Sequence, residues 1–326
     1  MMKNQLSLIL ISFGLLIVSK PATAFPVLDF GQVIPLPQQV SNGIARLKEV
    51  KDSLTNLKQT LSEIGDEVKS ISEFSKDISI DPSKLKKAAK VSHNNVLENM
   101  EGIAVAQSGL SDILKMAQEA KQDLAEGIVA QTEELLVASE ENPQIKENLA
   151  ANFESTKEIG VQLAENVNES FNTALNTLNK NAEKSYKSLV ELNKVVKNEK
   201  TFDATEINTL LARDLDNRER AASDMGINII EKAHAQYNKE YKENFADELN
   251  NYQKIVLAYA NGNVNKEDVV NAGQQFKLAV ANITTHLNDS DIANYQKEAQ
   301  TIKNEMGEVT TGIIKHFDEG DNIRHI

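Results

Sequence analysis

Five histidines, His93, His234, His286, His316 and His325, have the greatest capacity for metal or acid–base chemistry in this chain, but their spacing serves neither. None has a second histidine four residues away with a glutamate between, the arrangement that sets two imidazoles on one helix face for zinc. They read as surface histidines on helices. The chain has no cysteine, which excludes thiolate ligands, thiol nucleophiles and disulfides. Asp214-Leu215-Asp216 and Asn261-Gly262-Asn263-Val264-Asn265 alternate oxygen-bearing side chains as calcium loops do. Both lack a glycine at the sixth loop position, and Met225 and Ala272 stand where the twelfth-position carboxylate belongs. The first reads as solvated helix surface, the second as a turn plus a helix cap. No glycine-rich phosphate loop and no Gly-x-Ser-x-Gly elbow occurs. Neighbouring carboxylates such as Glu133-Glu134 and Glu140-Glu141 carry no information among 48 acidic residues. No catalytic residue, metal ligand or cofactor is therefore assigned, and the chain reads as non-enzymatic.

The densest charge lies between Ala212 and Asp224. On a helix, Asp214 with Arg218 and Asp216 with Arg220 would form pairs four residues apart. A weaker reading gives Arg213, Arg218 and Arg220 to a partner. A net charge of -13 argues against nucleic acid or anionic lipid as the primary partner.

Elements that could carry any of these residues are helical throughout. Aromatic residues make up 5% of the chain and tryptophan is missing, a composition of long helices rather than sheets. Val40, Leu47, Val50, Leu54, Leu57, Leu61, Ile64, Val68, Ile71 and Ile78 follow alternating steps of three and four with Gly43 and Ser75 as the misses, a heptad seam that predicts coiled-coil-like packing, within the chain or between chains. Asp81-Pro82 and Asn142-Pro143 each close one helix and cap the next. Gly102, Gly109 and Gly127 predict a kink, a close helix crossing or a break in the second helix, and Gly226 a split in the fourth. The expected organisation is a signal peptide over 1–24, an extended apolar segment over 25–39 and a helical bundle over 40–317. Its helices are expected at about 40–80, 83–139, 143–198, 204–260, 266–287 and 290–317, followed by a flexible tail over 318–326. The fold class is all-α, an elongated bundle of long antiparallel amphipathic helices with room for a smaller helical lobe.

The signal peptide is read from Lys3, the apolar stretch Leu6 to Val18 and the small-residue site Ala22-Thr23-Ala24. It implies export to the periplasm or beyond. The apolar run is shorter than the ~20 residues that cross a bilayer, so stable membrane insertion is not expected. After it, Pro26, Pro35 and Pro37 forbid a regular helix while Phe25, Val27, Leu28, Phe30, Val33, Ile34 and Leu36 keep the segment apolar. Such a strip lies on its own bundle or docks on another subunit.

Phe25-Pro26-Val27-Leu28-Asp29, followed by Gln32, a short spacer and the Leu-, Gln- and Lys-rich helix from Leu47 to Gln59, resembles the minor pilins of bacterial type IV secretion and conjugation systems. The resemblance implies a periplasmic intermediate at a pilus tip, with pilus or secretion-channel subunits and a cell-surface receptor as partners. Candidate interaction residues are Phe25, Pro26, Val27, Leu28, Asp29 and Phe30 of the strip, and Leu47, Leu54, Leu57 and Leu61 of the seam. Two other readings stand beside it. A helical pore-forming toxin would need a strongly apolar element, and the best candidate, Gly102 to Leu114, is short and interrupted by Gln107, Ser108 and Asp112. A periplasmic coiled-coil adaptor or chaperone would share every feature above.

Overall fold

A single 60-residue helix organises the rest of the fold, since most of the other helices pack along it. The computed structural model describes residues 38–71, 82–141, 144–198 and 214–323. In chain order these form α1 (Gln38–Glu67), α2 (Pro82–Glu141), α3 (Gln144–Asn198), α4 (Leu215–Lys239), a π-helical turn (Glu240–Phe245), α5 (Ala246–Ala260), α6 (Lys266–Ala281) and α7 (Asp289–Ile323). Among the described residues every regular element is helical, and the fold is an all-α bundle of long helices. At 1.5 Å per residue, α2 is about 90 Å long and α3 on the order of 80 Å.

Contacts along α2 give the topology. Leu57 lies against Gly109 and Ile64 against Gly102, so α1 runs antiparallel to α2. Ser92 meets Ser188 and Gly102 faces Leu178, so α3 is antiparallel as well. Asn99 bonds Glu219 and Ser139 bonds Tyr259, which makes the α4–α5 arm parallel to α2. The chain then returns: Gly273 of α6 packs on Val129, Tyr295 of α7 reaches Met100, and Thr310 reaches Ala89.

Local sequence explains where helices stop. α1 ends at Glu67, short of the expected 80, because the Asn95 side chain captures the backbone beyond it: its Nδ2 donates to the Lys69 carbonyl at 2.7 Å and its Oδ1 accepts from the Lys69 amide at 2.9 Å. Val68 and Ile71 stay buried on that non-helical segment. α6 starts with a reciprocal capping box, in which Asn265 and Asp268 each accept from the other's backbone amide at 3.0 Å. It ends at Ala281 rather than 287. Ile283, Thr285 and Leu287 are buried at alternate positions, the period of extended chain, and Gln236 holds that stretch through the Thr284 carbonyl. Asn288 Oδ1 then accepts from the Ser290 and Asp291 amides and starts α7, which continues to Ile323 through the first part of the expected tail.

The glycines of α2 do not break it. Gly109 marks a close crossing, since a Cβ there would lie 2.9 Å from Leu57 Cδ1. Gly226 does not split the fourth helix either, and the irregularity falls at the π turn, fourteen residues further on.

Candidate functional site

Core positions of the long helices are not all apolar. Buried polar residues include Ser92, Asn99, Gln107, Lys121 and Thr132 on α2, Ser185 on α3 and Glu219 on α4. Ser92, Gln107, Lys121, Thr132, Ser185 and Glu219 each stand three or four residues from a buried or half-buried apolar residue on either side, as Lys121 does from Ala117 and Leu124 and Glu219 from Leu215 and Ala222, in register with the apolar stripe. In a zipped helix pair such polar core residues define register and partner orientation, because any other alignment buries them unpaired.

The first charged member is Glu219, fully buried where α2, α3 and α4 meet. Asn99 Nδ2 donates to its Oε1 at 2.6 Å and to Ser223 Oγ at 2.9 Å, while Ser223 Oγ donates to the Glu219 carbonyl at 2.8 Å. The Ser185 hydroxyl faces the carboxyl from α3. Burial pushes the Glu219 carboxyl up to about 7, and Asp224 adds to the shift, against the opposing hydrogen bonds from Ser185, Asn99 and Ser223.

The second is Lys121, 3% exposed. Its Nζ lies 5.1 Å from the centroid of the Tyr237 ring and 5.5 Å from that of Tyr241, a cation held against two π faces. Burial pulls its ammonium down to about 8, opposed by the Glu240 carboxylate. Tyr237 and Tyr241 belong to a run of touching rings, His234, Phe171, Tyr237, Tyr241, Phe245, Phe276, Tyr252 and Phe153, with centroid spacings from 5.0 to 6.2 Å. The π turn carries Tyr241 and Phe245 into this run. The run links α3, α4, α5 and α6.

The charged stretch of α4 is arranged differently from the expected pairing along one helix. Arg218 does not pair with Asp214 but reaches across to α7, donating to Glu305 at 2.6 Å and Glu298 at 2.8 Å. Arg220 lies over the Tyr186 ring at 4.9 Å rather than beside Asp216. The reason is position: Asp214 precedes the helix with φ 53°, so its side chain is not in register with the turn above. Arg213 lies outside the described residues.

Of the seam candidates, Leu54, Leu57 and Leu61 are buried against the rest of the bundle. Leu47 is in α1, its side chain outside the description, and Phe25, Pro26, Val27, Leu28, Asp29 and Phe30 also lie outside it. The seam therefore packs within the chain over Val50 to Leu61. Between α1 and α3 it leaves a depression of about 140 Å³, with Lys51 and Lys58 on one wall and Glu169 and Thr173 on the other. The histidines stand apart. His234 stacks on Phe171 and bonds Asn168 Oδ1 at 2.5 Å, and burial lowers the His93 pKa. Among the described residues no three His, Asp or Glu side chains gather as a metal site, and no helix is long and apolar enough to cross a membrane.

These interior groups can fix helix order and register and can hold protons; the arrangement as a whole is one of lengthwise contact. Comparison with protein-family models, with curated proteins and with solved structures finds no match to this chain.

Proposed function

We propose that this protein is an exported, non-enzymatic assembly or adhesion subunit of the minor-pilin kind, acting at the tip of a type IV secretion or conjugative pilus. The observation that carries the reading is the contrast between two parts of the chain. The bundle consumes its own apolar stripes: Leu54, Leu57 and Leu61 of α1 are buried inside it, and the outer face of α1, with Lys48, Glu49, Lys51, Asp52, Lys58 and Glu63, is charged. The segment Phe25 to Leu36 carries apolar residues between prolines in a form suited to a subunit contact. In this reading the bundle is a stiff spacer and the strip is the assembly element, with Phe25, Val27, Leu28 and Phe30 as its anchors.

The test is a quadruple Ser variant at Phe25, Val27, Leu28 and Phe30, expressed in place of the native chain. Sheared pili are purified and probed for the protein. The reading expects the native chain to co-purify with pili and the variant to be exported, helical by circular dichroism, and missing from them. A native chain that never accompanies pili, or a variant that still does, overturns it. Leakage of dye from liposomes by the native chain would replace it with the toxin reading.

A further inference from the structure

We propose that Asn99, Ser185 and Glu219 form a proton-operated clasp: the start of α4 stays seated on α2 and α3 while Glu219 is a carboxylic acid, and loosens when that proton passes to solvent. The geometry rests on three oxygens. Glu219 Oε2 and Asn99 Oδ1 are shielded from solvent with no hydrogen-bond partner, and Ser185 Oγ, equally shielded, faces the carboxyl from α3. An acid hydroxyl on Oε2 supplies a donor to this set. A carboxylate supplies none, so a buried charge and Asn99 Oδ1 share a dry interior in which only the Ser185 hydroxyl is left to donate, which costs heavily.

Among the described residues no cation stands ready to neutralise the carboxylate. α2 presents Asn99 and α3 presents Ser185, both neutral. α7 presents Tyr295, whose hydroxyl donates to the Met100 carbonyl at 3.1 Å. On α4 itself the facing groups are Ser223 and a second acid, Asp224. The flanking arginines are engaged elsewhere, Arg218 with Glu298 and Glu305, Arg220 over Tyr186. Packing is tight two turns on, where a Cβ at Gly226 would lie 2.5 Å from Ile103 and 2.7 Å from Tyr295.

The part that can move is the start of α4. Its cap residue Asp214 has a left-handed backbone, and its side chain makes no capping bond to the free amides of the first turn. That turn is held by what it buries, Leu215 and Glu219, and by the Arg218 ion pairs to α7. Charging Glu219 therefore acts directly on one of the few contacts that seat the start of the arm.

The experiment is hydrogen exchange of the full chain, followed by mass spectrometry of peptides covering residues 215–226 at pH 5 to 9 and corrected for intrinsic exchange. Opening of this segment should rise by roughly tenfold per pH unit between pH 5 and 7 and level off above 8, as expected when one group binds its proton more tightly in the closed state. Peptides from α6 should show no such trend. Glu219→Gln, whose amide donates at every pH, should abolish the rise. Should that variant fail to fold, isotope-edited infrared spectra of glutamate-labelled native protein take its place: a carboxylic acid signal must vanish over the range in which opening grows. A pH trend retained in Glu219→Gln, a flat native profile, or no acid signal above pH 6 would overturn the clasp.

Discussion

Adding one methyl group at Gly226 should loosen the junction of α2, α4 and α7 measurably. The new Cβ would stand 2.5 Å from Ile103 Cγ2, 2.7 Å from Tyr295 Cε2 and 3.0 Å from Tyr295 Cδ2, where carbon atoms normally rest 3.5–4.0 Å apart. Neither neighbour yields easily. Ile103 is fully buried and branched at Cβ, which stiffens its first torsion, and the Tyr295 ring is tethered by its bond to the Met100 carbonyl. Overpacking of this kind costs about 1–3 kcal/mol, while alanine in place of a helical glycine returns up to about 1 kcal/mol. Contacts this short belong at the upper end of the overpacking range, so Gly226→Ala should destabilise by about 2 kcal/mol. Gly102→Ala is the matched control, because its Cβ would meet Ile64 Cγ2 at 3.4 Å and Leu178 Cδ2 at 3.7 Å, ordinary contact, and so should stabilise by up to about 1 kcal/mol. Urea unfolding followed by circular dichroism reads both. Gly226→Ala as stable as the native chain, or the two variants shifting in the same direction, would refute the packing described here.

Stability of the native chain should fall as pH rises from about 4.5 to about 7, because Glu219 keeps its proton longer when folded; the full loss is about 3 kcal/mol, and denaturant titrations of Glu219→Gln should show that slope removed. Lys121 has the opposite shift, giving up its proton more readily when folded, so native stability should climb between about pH 8 and 10.5, and Lys121→Met should erase the climb in the same titrations. Leu57→Ala should cost about 2–4 kcal/mol of unfolding free energy, and adding Gly109→Ala to it should be less harmful than adding Gly109→Ala to the native chain, because truncating Leu57 makes room for the new methyl.

The helices and their stripes were legible because burial in a long bundle obeys one period. Leu54, Leu57 and Leu61 could be assigned to a seam from their spacing alone. Whether that seam closed within the chain could not, since a heptad looks the same to an internal partner and to an external one. The helix ends were missed where tertiary contacts override local pattern. Asn95, 26 residues away from Lys69, ends α1, and nothing near Glu67 in the sequence announces it. The stretch from Ile283 to Leu287 did carry a signal, because β-branched residues with alternate burial favour extended chain over helix. The polar core was equally readable in retrospect. Glu219 stands four residues after Leu215 and three before Ala222, and Lys121 four after Ala117 and three before Leu124, so both charged residues are in register with an apolar stripe. The cross-helix partners of Arg218 were not readable, because Glu298 and Glu305 lie 80 and 87 residues downstream.

Closure of the α1 seam inside a single chain is the claim that frees the N-terminal strip, rather than the helices, to serve as the assembly element. Thermal unfolding of the native chain and of Leu57→Ala, recorded side by side across a wide range of protein concentration, tests it most directly. The destabilisation caused by Leu57→Ala should be the same at every concentration. A penalty that changes with concentration, together with native dimers in sedimentation that Leu57→Ala abolishes, would show that the seam joins two chains and would contradict the account.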